Sequence, residues 1–107
     1  MSHNTAIFAA ACLSLSLITA PALAANSSNK VLTVYTYDSF VSDWGMGPLI
    51  KPTFEQKCAC TLNLVGMDDA VAMLQRLKLE GASSPADLVL GLDLNLVDDA
   101  KKSGLFT

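Results

Sequence analysis

The sequence predicts an α/β fold with a parallel sheet, and three observations carry that expectation. The stretch Val31–Phe40, VLTVYTYDSF, opens with β-branched, aromatic and aliphatic residues on both alternating faces, the pattern of an inner strand covered on both sides. Two further short runs, Cys60–Val65 and Ala86–Leu92, read as strands bounded by turn residues. Helical spacing lies between and after them. The order is therefore β-α-β-α-β-α with short connections, which demands parallel pairing through crossovers.

The first strand stops at Tyr37-Asp38-Ser39, polar groups placed where ligands sit in open α/β sheets, outside the carboxyl ends of the strands. Val41–Gly47, with Ser42, Asp43, Trp44 and two glycines, reads as a loop. A helix is expected within 48–57, with Leu49, Ile50 and Phe54 as its inward face. Pro52 either kinks it or marks its true start, because proline offers no N–H to the helix interior. After the second strand, Gly66-Met67-Asp68-Asp69 forms a closing turn. Ala70, Leu74 and Leu77 then fall at i, i+4 and i+7 of a helix flanked by Val71 and Met73. Asp68 or Asp69 caps it, Arg76 and Lys78 suit the negative end of its dipole, and Gly81 stops it. The third strand is expected over Ala86–Leu92 with a buried middle. Asn95 is then expected to cap a short helix, Leu96–Ser103, which Gly104 ends.

The 107 residues carry a formal net charge of −3 and are 51% apolar. Residues 1–29 contain no Lys, Arg, Asp or Glu, and Ala6–Ala20 is weakly polar to apolar throughout. Ala22 and Ala24 supply an A-x-A cleavage signal, so residues 1–24 read as a secretory signal peptide and the product as periplasmic. His3 is the only side chain there that can stand in for a basic n-region. Cys12 is followed by more of the apolar run, which argues against a lipoprotein anchor. Residues 25–30 read as a flexible linker. The acidic balance offers no basic patch to neutralise phosphates, so nucleic acid is not an expected partner.

Acidic residues follow every strand: Asp38, then Asp68 and Asp69, then Asp93. A parallel sheet brings these ends to one edge. The reading in favour of function is a crevice for a cationic ligand; the plainer reading is that each acid caps a helix. Tyr37 and Trp44 flank the same edge, where an aromatic face suits a cation or a flat heterocycle, or else fills the core. Cys58 and Cys60 are one residue apart. In an exported protein a local disulfide is the first reading and two free thiols the second. The only histidine is in the leader, so neither a zinc site nor a base for a nucleophilic cysteine is expected. Glycine-rich phosphate loops and the G-x-S-x-G motif are absent from the sequence.

The segments LTVYTYDSF, DWGMGP, FEQKCAC, LQRLKLEG, ADLVLGLD and KKSGLF, in that order, resemble the N-terminal part of the periplasmic thiamine-binding proteins, the receptors of thiamine ABC importers. The resemblance runs from about Val31 to the last residue. It implies a type II periplasmic-binding-protein fold, two α/β lobes joined by a hinge with the ligand between them. A lobe of roughly 100–150 residues is an ordinary domain size. Residues 31–107 are thus expected to be a truncated N-terminal portion of lobe 1. The resemblance further implies capture of thiamine or a thiamine phosphate without reaction or cofactor, and delivery to an inner-membrane ABC permease. Tyr37 and Asp69 match ligand-binding positions of the family, and so does Ala70, where the family usually has glycine. Pro52 stands where a basic residue is more typical. The competing expectations are a thiamine-degrading enzyme of the same fold, with a cysteine nucleophile, and a receptor for another cationic solute.

Overall fold

A computed structural model describes residues 29–107. The expected signal peptide, 1–24, and residues 25–28 of the expected linker lie outside the described residues. The first strand, β1 (Lys30–Tyr37), pairs in parallel along its whole length with β2 (Cys60–Met67), from Lys30 opposite Cys60 to Tyr37 opposite Met67. On its other side β1 pairs in parallel with β3 (Leu88–Val89), so the sheet order is β2-β1-β3. The central place explains the sequence of β1. Thr33, Val34, Tyr35 and Thr36 are all buried, which requires residues that pack on either face.

Residues paired across parallel strands share a face. Tyr35 and Val65 form one such pair, and Tyr37 and Met67 another. On that face lies the helix α3 (Ala70–Glu80), whose Met73 and Leu77 join Tyr35 and Met67 in the core. Asp69 caps α3 by accepting from the Ala72 N–H at 2.7 Å. Gly81, at φ 56°, closes its other end, where a side chain would be strained.

A second helix, α2 (Met46–Cys58), occupies the opposite face. There Gly47 lies so close to Leu64 that an added Cβ would sit 2.8 Å from its Cδ1. The helix corrects two expectations. It starts at Met46 and runs through both prolines. Pro48 falls in the first turn, where no intrahelical N–H is needed, and Pro52 forfeits only the bond to the Pro48 carbonyl. Nor do Leu49, Ile50 and Phe54 form its inward face: they are 71%, 40% and 39% exposed. The residues that turn to β2 are Gly47, Lys51 and Glu55, at i, i+4 and i+8. Glu55 Oε1 accepts from the Leu62 N–H at 2.7 Å, and Lys51 Nζ donates both to that oxygen, at 2.6 Å, and to the Leu62 carbonyl. Two side chains thus satisfy both backbone groups of Leu62 on β2, an edge strand whose unpaired groups would otherwise invite another strand.

Three smaller differences have local causes. A single helical turn, α1 (Asp38–Val41), follows β1 directly, ahead of the expected loop; the Ser42 N–H closes it on the Asp38 carbonyl at 2.9 Å. The third strand shrinks to Leu88–Val89, and Leu88 and Leu90 are 51% and 46% exposed rather than buried. At its start the Asp87 carboxylate, not a backbone carbonyl, accepts from the Thr33 N–H at 2.9 Å; at its end Gly91 turns the chain with φ 113°. The last helix, α4 (Val97–Ser103), follows a 3₁₀ turn, Leu94–Leu96. Asn95 lies inside that turn and is not its cap. Asp93 is the cap, accepting from the Asn95 N–H at 2.9 Å.

Side chains also lock α3 to the sheet. The Tyr35 hydroxyl donates to both oxygens of Glu80 at 2.9 Å, Arg76 pairs with Glu80 at 2.8 Å, and Ser84 Oγ donates to Glu80 at 2.7 Å. The Arg76 guanidinium also stands 4.9 Å from the centre of the Tyr35 ring, within cation–π range. Lys78 of α3 pairs with Asp99 of α4 at 2.6 Å.

These contacts set a pH dependence. The Lys51 ammonium, then the Leu62 N–H, hold Glu55 below the ordinary carboxyl value of 4.5. The Ser84 hydroxyl, then Arg76, hold Glu80 below it too. A carboxyl depressed by folding stabilises the fold above its unfolded pKa, and that contribution disappears as pH falls through the lower folded value. Urea midpoints are therefore expected to decline below the ordinary carboxyl range. Glu55→Gln and Glu80→Gln should each flatten that decline while lowering the midpoint at neutral pH. A wild-type midpoint that holds steady through acid would refute both assignments.

Candidate functional site at the carboxyl edge of the sheet

The carboxyl ends of the strands form one edge, built from the turns that follow them. β1 delivers Tyr37 to this edge, on the face that carries α3. The ring packs against the Tyr35, Met67, Met73 and Leu77 cluster, and the hydroxyl donates to the Gly91 carbonyl. Gly91 faces the ring so closely that an added Cβ would sit 2.3 Å from Cε2. β2 and its turn deliver Asp69 and Ala70 to the same face. Asp69 is exposed, with Oδ1 engaged by the Ala72 N–H, while the Ala70 methyl is buried at the first position of α3.

The structure therefore brings Tyr37, Asp69 and Ala70 to one edge and one face, two of them at the positive end of a helix dipole. Asp38 starts α1 at the same edge. Its carboxylate lies against Gly66, where an added Cβ would meet Oδ1 at 2.3 Å. Asp68 is exposed in the turn, and Asp93 is occupied as a cap. Trp44, just ahead of α2, is 79% exposed and fills no part of the core.

The cysteines are elsewhere. Cys58 and Cys60 are joined by a disulfide that links the end of α2 to the start of β2, at the opposite edge, with Ala59 between them at φ 50°. Two open cavities, of about 470 and 490 Å³, also lie toward that opposite edge. Leu77, Leu88 and Phe106 contribute to one, and Val31, Cys58 and Cys60 to the other. Neither cavity includes Tyr37, Asp69 or Ala70. Among the described residues, no cluster of three or more His, Cys, Asp or Glu is placed to hold a metal ion.

Sequence reasoning missed Gly66 and Gly91. Their signal was faint: a glycine within or just after a strand marks close approach by another group. Gly66 lay in the expected turn and Gly91 in the expected strand.

No family model matches the chain. It is 56% identical over 96 residues to the thiamine-binding periplasmic protein of Escherichia coli K12, a match covering 89% of this chain and 28% of that protein. It is 57% identical over 83 residues to the protein of the same name in Brucella abortus, covering 78% of this chain and 25% of that one. The Haemophilus influenzae protein of that name is 39% identical over 95 residues, covering 88% and 28%. A solved structure described as a periplasmic thiamin binding protein superposes with a TM-score of 0.68 at 60% identity, covering 72% of this chain and 24% of that one. Over the matched stretch the chain is similar to the thiamine-binding periplasmic proteins, and it spans about a quarter of their length.

Proposed function

We propose that this chain forms the opening part of a periplasmic receptor that captures thiamine or a thiamine phosphate and passes it, chemically unchanged, to an inner-membrane ABC permease. The observation that carries the proposal is the 56% identity to a protein named for thiamine binding, over most of this chain. The carboxyl edge is chemically suited to the role. Thiamine joins a fixed thiazolium cation to a flat aminopyrimidine; Asp69 offers the cation a carboxylate, and Tyr37 offers a ring. The reading as a thiamine-degrading enzyme finds no such support. It needs a free thiolate, and Cys58 and Cys60 are tied to each other at the far edge.

The test is calorimetric titration of the 107-residue chain, and of a longer version joined to the remaining three quarters of the Escherichia coli protein. The longer protein is expected to bind thiamine and return it intact on chromatography. The 107-residue chain should bind it hardly at all, because one face of a cleft cannot surround a ligand. Cleaved thiamine, or no binding by the longer protein, would overturn the proposal.

Export is part of the same reading. The secreted product is expected to begin at Ala25 when sequenced from its N-terminus, after removal of residues 1–24. An uncut product retained in the cytoplasm would refute the periplasmic assignment.

A further inference from the structure

The run ADLVLGLD reads as a strand interrupted by a glycine, and the structure shows what the interruption accommodates. Pairing with β1 ends at Val89, and two residues later Gly91 takes φ 113°, a conformation that residues with a Cβ rarely adopt. Its missing side chain leaves room for an aromatic ring. A Cβ built on Gly91 would stand 2.3 Å from Cε2 of Tyr37 and 3.0 Å from both Cδ2 and Cζ. The Gly91 carbonyl in turn accepts the Tyr37 hydroxyl. Gly91 thus fixes the ring twice, by letting it lie against the backbone and by holding its hydroxyl. The ring also packs against the core cluster of Tyr35, Met67, Met73 and Leu77 and is only partly buried.

We propose that Gly91 is a positioning residue for ligand capture, holding Tyr37 so that it offers the ligand an aromatic surface and withholds its hydroxyl. The inference rests on the reading of Tyr37 as a cleft residue under the proposed function. It narrows the recognised chemistry: at this position the site selects a cationic or flat aromatic group, not a hydrogen-bonding one. A cation or heterocycle over such a ring gains a few-fold to a few tens-fold in affinity when the contact is partly shielded from water.

The experiment is a double-mutant cycle on thiamine affinity in the longer protein described above, with Gly91→Ala, Tyr37→Leu and the pair. Each single change is expected to weaken binding roughly tenfold, the middle of the cation–π range, and the pair no more than Tyr37→Leu alone. Tyr37→Phe keeps the ring and removes only the hydroxyl held by Gly91, so it should stay within about threefold of wild type.

Nuclear Overhauser contacts between the Tyr37 ring and the Gly91 α-protons, in the same protein, report the ring position without any ligand. They should be present in wild type and in Tyr37→Phe, and lost in Gly91→Ala. A Gly91→Ala loss that persists in the Tyr37→Leu background would overturn the proposal, because Gly91 would then act through something other than the ring. So would unchanged affinity despite a displaced ring. If Gly91→Ala fails to fold, Tyr37→Phe still decides: a loss as large as that of Tyr37→Leu would make the hydroxyl the ligand's partner. A wild type that binds thiamine but shows no coupling rejects this inference alone. A wild type that does not bind removes the proposed function and this inference with it.

Discussion

Tyr35→Ala is expected to leave the 107-residue chain without a cooperative unfolding transition in urea. Tyr35 is fully buried in the central strand and packs on Met67, Met73 and Leu77, so its ring joins the sheet to α3. Truncating a buried aromatic to alanine costs about 3–5 kcal/mol, through lost transfer energy and the cavity left behind. A folded unit of about 80 residues has only about 4–12 kcal/mol in total, at 0.05–0.15 kcal/mol per residue. Small size puts this unit at the lower end, because it buries a smaller fraction of its surface. The truncation therefore consumes most or all of the stability.

Tyr35→Phe separates packing from polarity. It keeps the ring and removes the hydroxyl that donates to Glu80, while Glu80 retains Ser84 and Arg76. A hydrogen bond to a charged group is worth about 1.5–3 kcal/mol, and a half-solvated carboxylate belongs at the low end. A lower urea midpoint with cooperativity intact is the expected result for Tyr35→Phe, followed by far-ultraviolet circular dichroism. If Tyr35→Ala unfolded with nearly the wild-type midpoint, the β1–α3 contact would not be the core of this unit.

The central strand was legible in the sequence because burial on both faces leaves a composition with no polar side, as Thr33–Thr36 show. So was α3, whose apolar spacing, acidic cap and terminal glycine all agree; such agreement among independent local signals is what specifies a fold. Helix α2 was read less well. Its inward face is made of Gly47, Lys51 and Glu55, and a helix that meets a strand edge through a glycine and two long polar side chains has no apolar stripe to detect. The third strand was overextended because ADLVLGL has the composition of a buried strand. Asp87 replaces a ladder carbonyl and Gly91 turns the chain, and neither role follows from composition.

The candidate site was partly legible for a similar reason. Strand ends and acidic caps announce themselves in sequence, so Tyr37, Asp38 and Asp69 were visible. The glycines that let side chains settle against the backbone at that edge depend on contacts between distant residues. Gly66 against Asp38 and Gly91 against Tyr37 could not be read locally.

Asp69→Asn is expected to weaken thiamine binding by roughly ten- to a hundredfold in the protein extended to the length of its relatives, with the fold unchanged. The structure shows why this substitution separates the two roles of Asp69. As a cap, its Oδ1 accepts from the Ala72 N–H at 2.7 Å. Asparagine caps about as well as aspartate, so the start of α3 survives. As a charge, it stands exposed at the carboxyl edge, beside the buried Ala70 and on the same face as Tyr37. Under the proposed function, a second lobe closing over that edge would remove water from the carboxylate and the thiazolium together. A partly desolvated charged contact is worth about 1.5–3 kcal/mol, the source of the expected loss. An exposed pair would give only about 0–1 kcal/mol, so the size of the effect also reports how far the cleft closes. Asp69→Ala removes both roles and should add a stability loss of about 1 kcal/mol, seen as a lower urea midpoint. Calorimetric titration of wild type and both variants, with urea unfolding alongside, reads affinity and stability separately. Unchanged thiamine affinity in Asp69→Asn would reduce Asp69 to a helix cap and move the search for the cation's partner to Asp38, whose carboxylate lies at the same edge against Gly66.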